Sequence, residues 1–269
     1  MDTRFVSFDQ TRLAVHTTGK GQLAVLLHGY PLDHRMWLDT MHGPLAERRT
    51  LVAIDLRGHG ASPWCGDAMH TMDLLADDVA AVVHTISDEP VDVVGLSMGG
   101  YVAQAVWARH PQLVRSLCLV DTKAKGDDDA GKAGRDAAMR TVLEKGRPAI
   151  AAAMAGKLLA PRAETDPHGM LLRARLHSMV EGQPVETIVA DLRGMRERPD
   201  RTPMLASITV PTLVVVGSED ALTPPDEAKR VAGAIPGARC VVVPGCGHLT
   251  PMENPAAFAR EVSAFWPMD

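Results

Sequence analysis

The chain has 269 residues, enough to bury the core of one large α/β domain or of two small ones. A net charge of −5 gives no reason to expect a nucleic-acid partner or an anionic membrane surface. The opening MDTRFVSFDQ holds no apolar signal core, and no apolar run reaches the ~18 residues of a membrane span, so a soluble cytoplasmic protein is expected.

In chain order, residues 4–8 and 12–17 are short and alternating, the pattern of an antiparallel hairpin. Residues 23–27 form a continuous apolar run, as a strand buried on both faces requires, and end in His28-Gly29-Tyr30-Pro31. Residues 51–54 are a second such run, ending in the segment DLRGHGAS that begins at Asp55. Residues 72–86 carry apolar side chains at helical spacing. The stretch the chain is organised around follows: an apolar strand from Val91 breaks into Gly95-Leu96-Ser97-Met98-Gly99, and a helix over 101–110 is stopped by Pro111. Residues 114–120 make the next strand, which ends at Asp121.

The pattern then changes. Residues 122–203 show no strand; an acidic, glycine-containing patch (Asp127, Asp128, Asp129, Gly131, Gly134) precedes helical stretches at 135–145, 148–159, 167–179 and 184–196. This predicts an all-helical cap at 122–203, inserted into a core domain made of 1–121 and 204–269. Strand and helix alternate again at 212–216, 226–234, 239–243 and 255–265. Such alternation implies an α/β fold whose mostly parallel sheet has helices on both faces. In these sheets ligand sites gather at the carboxyl ends of strands. His28, Asp55, Ser97, Asp121 and the run Gly217-Ser218-Glu219-Asp220 all fall at such ends.

Strand, tight turn and helix is the setting in which G-x-S-x-G becomes a nucleophile elbow. The turn brings the residues flanking Ser97 so close that side chains would collide, hence Gly95 and Gly99. A serine hydroxyl needs a base, and the base needs an orienting carboxylate. Among 11 histidines, His248 has the right position: Gly245 and Gly247 make a flexible loop able to reach back over the sheet edge, just before the last helix. Two acids are open. Asp220 ends the preceding strand and is followed by Thr223-Pro224-Pro225, a rigid turn that would fix its direction; Asp121 ends the strand after the nucleophile helix. Asp220 is favoured, and Glu219, one residue earlier, should point away. The oxyanion calls for two backbone donors, Met98 after the elbow and Tyr30 in the first loop. His28 is read as holding that loop rather than as a second base.

Other groups carry less. Cys65, Cys118, Cys240 and Cys246 lack C-x-x-C spacing; Cys118 and Cys240 read as buried free thiols, and Cys246 is the weaker rival of Ser97 as a nucleophile. His28, Asp33 and His34 lack a metal-ligand spacing, and no G-x-G-x-x-G follows a strand, so neither metal nor dinucleotide cofactor is expected. Gly58 and Gly60 around His59 read as turn geometry. Of Met139, Met154, Met170, Met179 and Met195, most read as core and the rest as lining of an apolar pocket above Ser97.

With HGYP at 28–31, DLRGHGAS at 55–62, GLSMGG at 95–100, GSEDALTP at 217–224 and GCGHLTPMENP at 245–255 in order, the chain resembles the α/β-hydrolase superfamily over nearly its whole length. It is most similar to the branch of 3-oxoadipate enol-lactonases, small bacterial esterases, acyl-homoserine-lactone hydrolases and cofactor-free haloperoxidases (perhydrolases). The resemblance implies a catalytic trio of Ser97, Asp220 and His248, backbone donors at Tyr30 and Met98, a helical lid, and no metal or organic cofactor. It implies a serine hydrolase acting on a small-molecule ester or lactone, with a perhydrolase or a C–C bond hydrolase as the alternative on the same residues. A small-ligand receptor with an idle trio is the alternative of another class. Oligomeric state and the identity of the ester stay open.

Overall fold

The protein is described from a computed structural model that covers residues 1–9 and 11–266, the side chains of Arg162 and Ala163 excepted. β1 (Asp2–Phe8) and β2 (Thr11–Gly19) pair antiparallel from Asp2↔Thr17 to Phe8↔Thr11. β3 (Gln22–Leu27), β4 (Arg49–Ile54), β5 (Val91–Leu96), β6 (Val114–Val120), β7 (Thr212–Gly217) and β8 (Arg239–Val243) complete an 8-stranded sheet of order β1-β2-β4-β3-β5-β6-β7-β8. β2 joins β4 antiparallel, and every pairing from β4 across to β8 is parallel. Every residue of β5 and β7 is buried, because helices cover both faces of the sheet.

One charge lies inside β5. Asp92, 1% exposed, accepts from Arg49 Nε (3.3 Å), Arg115 Nη2 (2.7 Å) and Ser116 Oγ (2.6 Å). That pairing offsets the desolvation of the carboxylate. It sits at the amino end of the strand, so the carboxyl end is left for other chemistry.

α1 (Leu38–Met41) follows a single 3-10 turn, His34–Trp37; both are too short to register as a helical period. α2 (Met72–Ile86) is capped by Thr71, whose Oγ1 accepts from Leu74 N at 3.0 Å, a contact worth roughly 1 kcal/mol. α3 (Met98–Arg109) begins at Met98, before residue 101 where the pattern places it. Its two glycines look like turn residues but serve packing: a Cβ on Gly100 would lie 2.5 Å from Thr122 Oγ1.

Between β6 and β7 come α4 (Asp129–Lys145), α5 (Arg147–Leu158), α6 (Pro167–Gly182) and α7 (Val185–Arg196), with no strand among the described residues. α4 starts inside the acidic patch rather than after it, because Asp128 Oδ1 accepts from Gly131 N (2.9 Å) and caps it. α8 (Pro225–Ala234), α9 (Thr250–Glu253) and α10 (Pro255–Phe265) close the chain. Among the described residues no helix is long and apolar enough to cross a membrane.

α7 is fastened to the loops above β4 by a buried carboxylate. Asp191 meets His59 Nε2 at 2.8 Å and His70 Nδ1 at 2.7 Å, all three side chains 0% exposed. Burial alone would raise the Asp191 pKa and lower that of His59. Their mutual attraction reverses both, leaving Asp191 below and His59 above its ordinary value. Gly194 lets the helix come this close, since a Cβ there would lie 1.6 Å from His70 O.

Candidate active site

The turn after β5 is as tight as its glycines imply. A Cβ on Gly95 would lie 2.2 Å from Gly99 O, and one on Gly99 would lie 2.2 Å from Leu27 O. Ser97 takes φ 53°, ψ −112°, a conformation side chains rarely adopt, held by Ser97 N donating to Val120 O (2.9 Å) and Thr122 Oγ1 donating to Ser97 O (2.8 Å). The strain lifts the hydroxyl clear of the sheet at the start of α3. There the Met98 N–H has no acceptor within its own helix and the helix dipole is positive.

Ser97 Oγ lies 2.8 Å from His248 Nε2. His248 Nδ1 lies 2.8 Å from Asp220 Oδ2. The other oxygen of Asp220 accepts from Leu222 N (2.8 Å) and Thr223 N (2.9 Å), and Thr223 Oγ1 donates to Oδ2 (2.5 Å). The rigid turn thus aims this carboxylate through its backbone. Burial would raise the Asp220 pKa, but the bonds from His248 and Thr223 bring it below the usual value, so it is ionised. Burial would lower the His248 pKa, but the bond and charge of Asp220, with Asp121 and Glu253 behind, raise it above 6.5. An ionised Asp220 fixes the tautomer with hydrogen on Nδ1, leaving Nε2 to accept from Ser97.

The loop carrying His248 is pinned rather than loose. Gly245 takes φ 67°, and Gly217 packs so tightly on Gly247 that a Cβ would meet its carbonyl at 2.1 Å. His248 N donates to Leu158 O at 2.8 Å, at the end of α5. Glu253 accepts from Gly247 N (2.8 Å), Leu249 N (3.3 Å) and Ala160 N (2.8 Å), joining the loop to the segment after α5. Glu253 was not singled out in the sequence, and Thr223 only as part of the turn after Asp220. Their positions beside Asp220 and in PMENP were the available signal.

Asp121 is buried, with φ 44°. It accepts from Gly217 N (3.0 Å), Thr250 N (3.0 Å) and Thr250 Oγ1 (3.0 Å), not from His248, so it braces β7 against the loop after His248. Burial, with Asp220 nearby, lifts its pKa to about 7 although His248 opposes the shift. Glu219 is exposed and its side chain has no place in the site. His28 is wholly buried; Nδ1 donates to Gly29 O (3.0 Å) and Nε2 accepts from Leu56 N (3.0 Å). Burial and His59 lower its pKa to about 4, so it is a neutral clamp between the loops after β3 and β4. Cys246 is buried, whereas Cys240 on edge strand β8 is partly exposed, unlike the expectation.

Above Ser97 and His248 lies a cavity of about 540 Å³. Its floor includes Tyr30, Thr223 and Leu222; its walls come from α4, α5 and α7, with Ala138, Ile150, Met154 and Met195 among them. Met179 is core, Met139 is partly buried against it, and Met170 is 61% exposed. The one group of potential metal ligands found among the described residues is His16, His34 and Asp55. Both imidazoles face the same carboxylate, at 3.0 and 2.9 Å, and stack with centroids 3.4 Å apart and planes 17° apart. Nitrogens on nearly parallel rings do not converge on one ion, and the arrangement satisfies Asp55 with hydrogen bonds instead.

The sequence model described as "Alpha/beta hydrolase family" matches residues 24–261. A pimeloyl-[acyl-carrier protein] methyl ester esterase of Neisseria meningitidis is 31% identical over 249 residues, 87% of this chain and 89% of its own. Among solved structures, a thermophilic esterase from Thermogutta terrifontis, malate bound, superposes with a TM-score of 0.92 at 32% identity, over 98% of this chain and 97% of that one. The enol-lactonase of Burkholderia xenovorans LB400 superposes with a TM-score of 0.89 at 24% identity, over 97% and 99%, a likeness of fold.

Proposed function

The chain belongs to the alpha/beta hydrolase family, and from that premise we propose that it is a serine hydrolase of carboxylic esters or lactones, working through an acyl-enzyme on Ser97. What carries the reading is one chain of contacts at the cavity floor: Ser97 Oγ to His248 Nε2 at 2.8 Å, and His248 Nδ1 to Asp220 Oδ2 at 2.8 Å. The relatives named as esterases supply the substrate class.

Ser97 attacks the carbonyl carbon while His248 Nε2 takes its proton. Asp220 holds the ring and stabilises the imidazolium. The oxyanion is received by the N–H groups of Met98 and Tyr30; losing one such donor costs on the order of a hundred- to a thousand-fold in rate. The imidazolium then gives its proton to the leaving alcohol oxygen as the C–O bond breaks. Water, deprotonated by His248, attacks the acyl-enzyme, and Ser97 leaves with the proton returned to it.

The helical segment 122–203 acts as the cap in this reading, since α4, α5 and α7 wall the cavity. The test is turnover of p-nitrophenyl acetate and of a simple lactone by the wild type and by Ser97→Ala. Loss of both activities in a folded variant is expected; wild-type turnover without the hydroxyl would refute the proposal.

A further inference from the structure

The loop that carries His248 is held at three consecutive backbone groups. Gly247 N and Leu249 N, on either side of the histidine, donate to the same oxygen of Glu253, Oε1, at 2.8 and 3.3 Å. Between them His248 N donates to Leu158 O at 2.8 Å. Leu158 ends α5, and the last carbonyls of a helix have no partner within it. The other oxygen of Glu253, Oε2, accepts from Ala160 N at 2.8 Å, just past that helix end.

The junction is backbone on backbone. A Cβ on Gly247 would lie 2.6 Å from Ala160 N and 2.8 Å from Leu159 C. Glu253 is 6% exposed, and Gly247, Leu249 and Ala160 are buried with it. Water therefore does not replace a lost acceptor here, and an N–H deprived of Glu253 stays unsatisfied. α5 also walls the cavity, through Ile150, Met154 and Leu158 among others. One carboxylate thus joins the loop of the base to a wall of the cavity.

Glu253 acts through its charge as well. The charges that face His248 are those of Asp220, Asp121 and Glu253, and each raises the pKa of the imidazole against the effect of burial. Asp220 bonds to the ring, and Asp121 braces β7. Glu253 grips the loop's backbone on both sides of the histidine, so it acts through His248.

Resting on the serine-hydrolase reading, we infer that Glu253 is a positioning residue of the reaction, setting where His248 stands against Ser97 and tying that position to the cap end of α5. A misplacement of about 1 Å in such a group costs on the order of a hundredfold in rate.

The experiment is Glu253→Gln, with kcat and KM for p-nitrophenyl acetate measured across pH. The amide oxygen keeps the Gly247 and Leu249 bonds, and the amide nitrogen then faces the Ala160 N–H, donor against donor. Expected is a kcat on the alkaline plateau lower by roughly tenfold or more, with KM within about threefold of the wild type. The midpoint of the kcat/KM profile falls below that of the wild type, because one charge that raises the His248 pKa is gone. Gly247→Ala strains the same junction with the charge kept, so kcat falls by a similar factor and the midpoint stays. Circular dichroism establishes the fold of each variant, and if one does not fold the other decides. A kcat within about threefold of the wild type in either folded variant overturns the inference, as does an unmoved midpoint in Glu253→Gln. In those cases wild-type turnover that is lost in Ser97→Ala still upholds the serine hydrolase. No turnover of any ester by the wild type, with no fluorophosphonate label on Ser97, removes the serine hydrolase itself and the inference with it.

Discussion

Asp220→Asn offers a sharp perturbation because the surroundings dictate how the amide must sit. Asp220 Oδ1 accepts from the N–H groups of Leu222 and Thr223, at 2.8 and 2.9 Å, and only an oxygen satisfies both. The amide nitrogen is thereby forced to the Oδ2 place, facing His248 Nδ1 at 2.8 Å. There it donates a hydrogen, and His248 answers by moving its own hydrogen to Nε2. That nitrogen can no longer accept from Ser97. A wrong tautomer of this kind lowers kcat by about 10⁴-fold in serine proteases, roughly 5.5 kcal/mol of barrier. The expected result here is a loss of that order on p-nitrophenyl acetate, with the fold intact. A variant within tenfold of the wild type would refute the reasoning, and a larger loss from Asp121→Asn would transfer the acid's role to Asp121.

Other outcomes follow from the same structure. Because His248 holds its proton above the ordinary 6.5, and only the neutral ring can act as base, kcat/KM on a neutral ester should rise with pH through a midpoint above 6.5; a midpoint at or below that value contradicts the pairing with Asp220. Gly95→Ala puts a Cβ 2.2 Å from Gly99 O and should cost about 3 kcal/mol in denaturant stability, whereas an unchanged midpoint would show that the elbow can relax. Asp191→Ala leaves His59 and His70 unpaired in a fully buried place, so a destabilisation of roughly 3–5 kcal/mol is expected in thermal melts, and an unchanged Tm would mean α7 is held by packing alone.

How much could be read beforehand depends on the range of the forces involved. The strand–helix alternation and the Gly95-to-Gly99 turn are local, and both stand clearly in the chain. So do the edges of β5, β6 and α2, which packing does not move. Boundaries shifted where a tertiary contact overrode propensity: Gly99 and Gly100 lie inside α3, because close approach to Leu27 and Thr122 demands residues without side chains. Asp121 and Asp220 end adjacent strands, and the one local feature that separates them is the rigid Thr223-Pro224-Pro225 turn after Asp220. Their directions differ only because Thr250 and Gly217 engage one while the turn at Thr223 directs the other.

Contacts between distant segments were out of reach. The His59–Asp191–His70 tie joins residues whose separation in sequence hides them from any periodicity. The Glu253 brace looks like an ordinary acidic residue of a short helix until Gly247 and Ala160 are placed beside it.

The most direct measurement is the site of covalent capture. After treatment with a fluorophosphonate, peptide mass spectrometry should place the adduct on Ser97. The adduct should vanish in Ser97→Ala and form far more slowly in His248→Ala. An adduct on another residue, or labelling that persists at the wild-type rate without His248, would contradict the account.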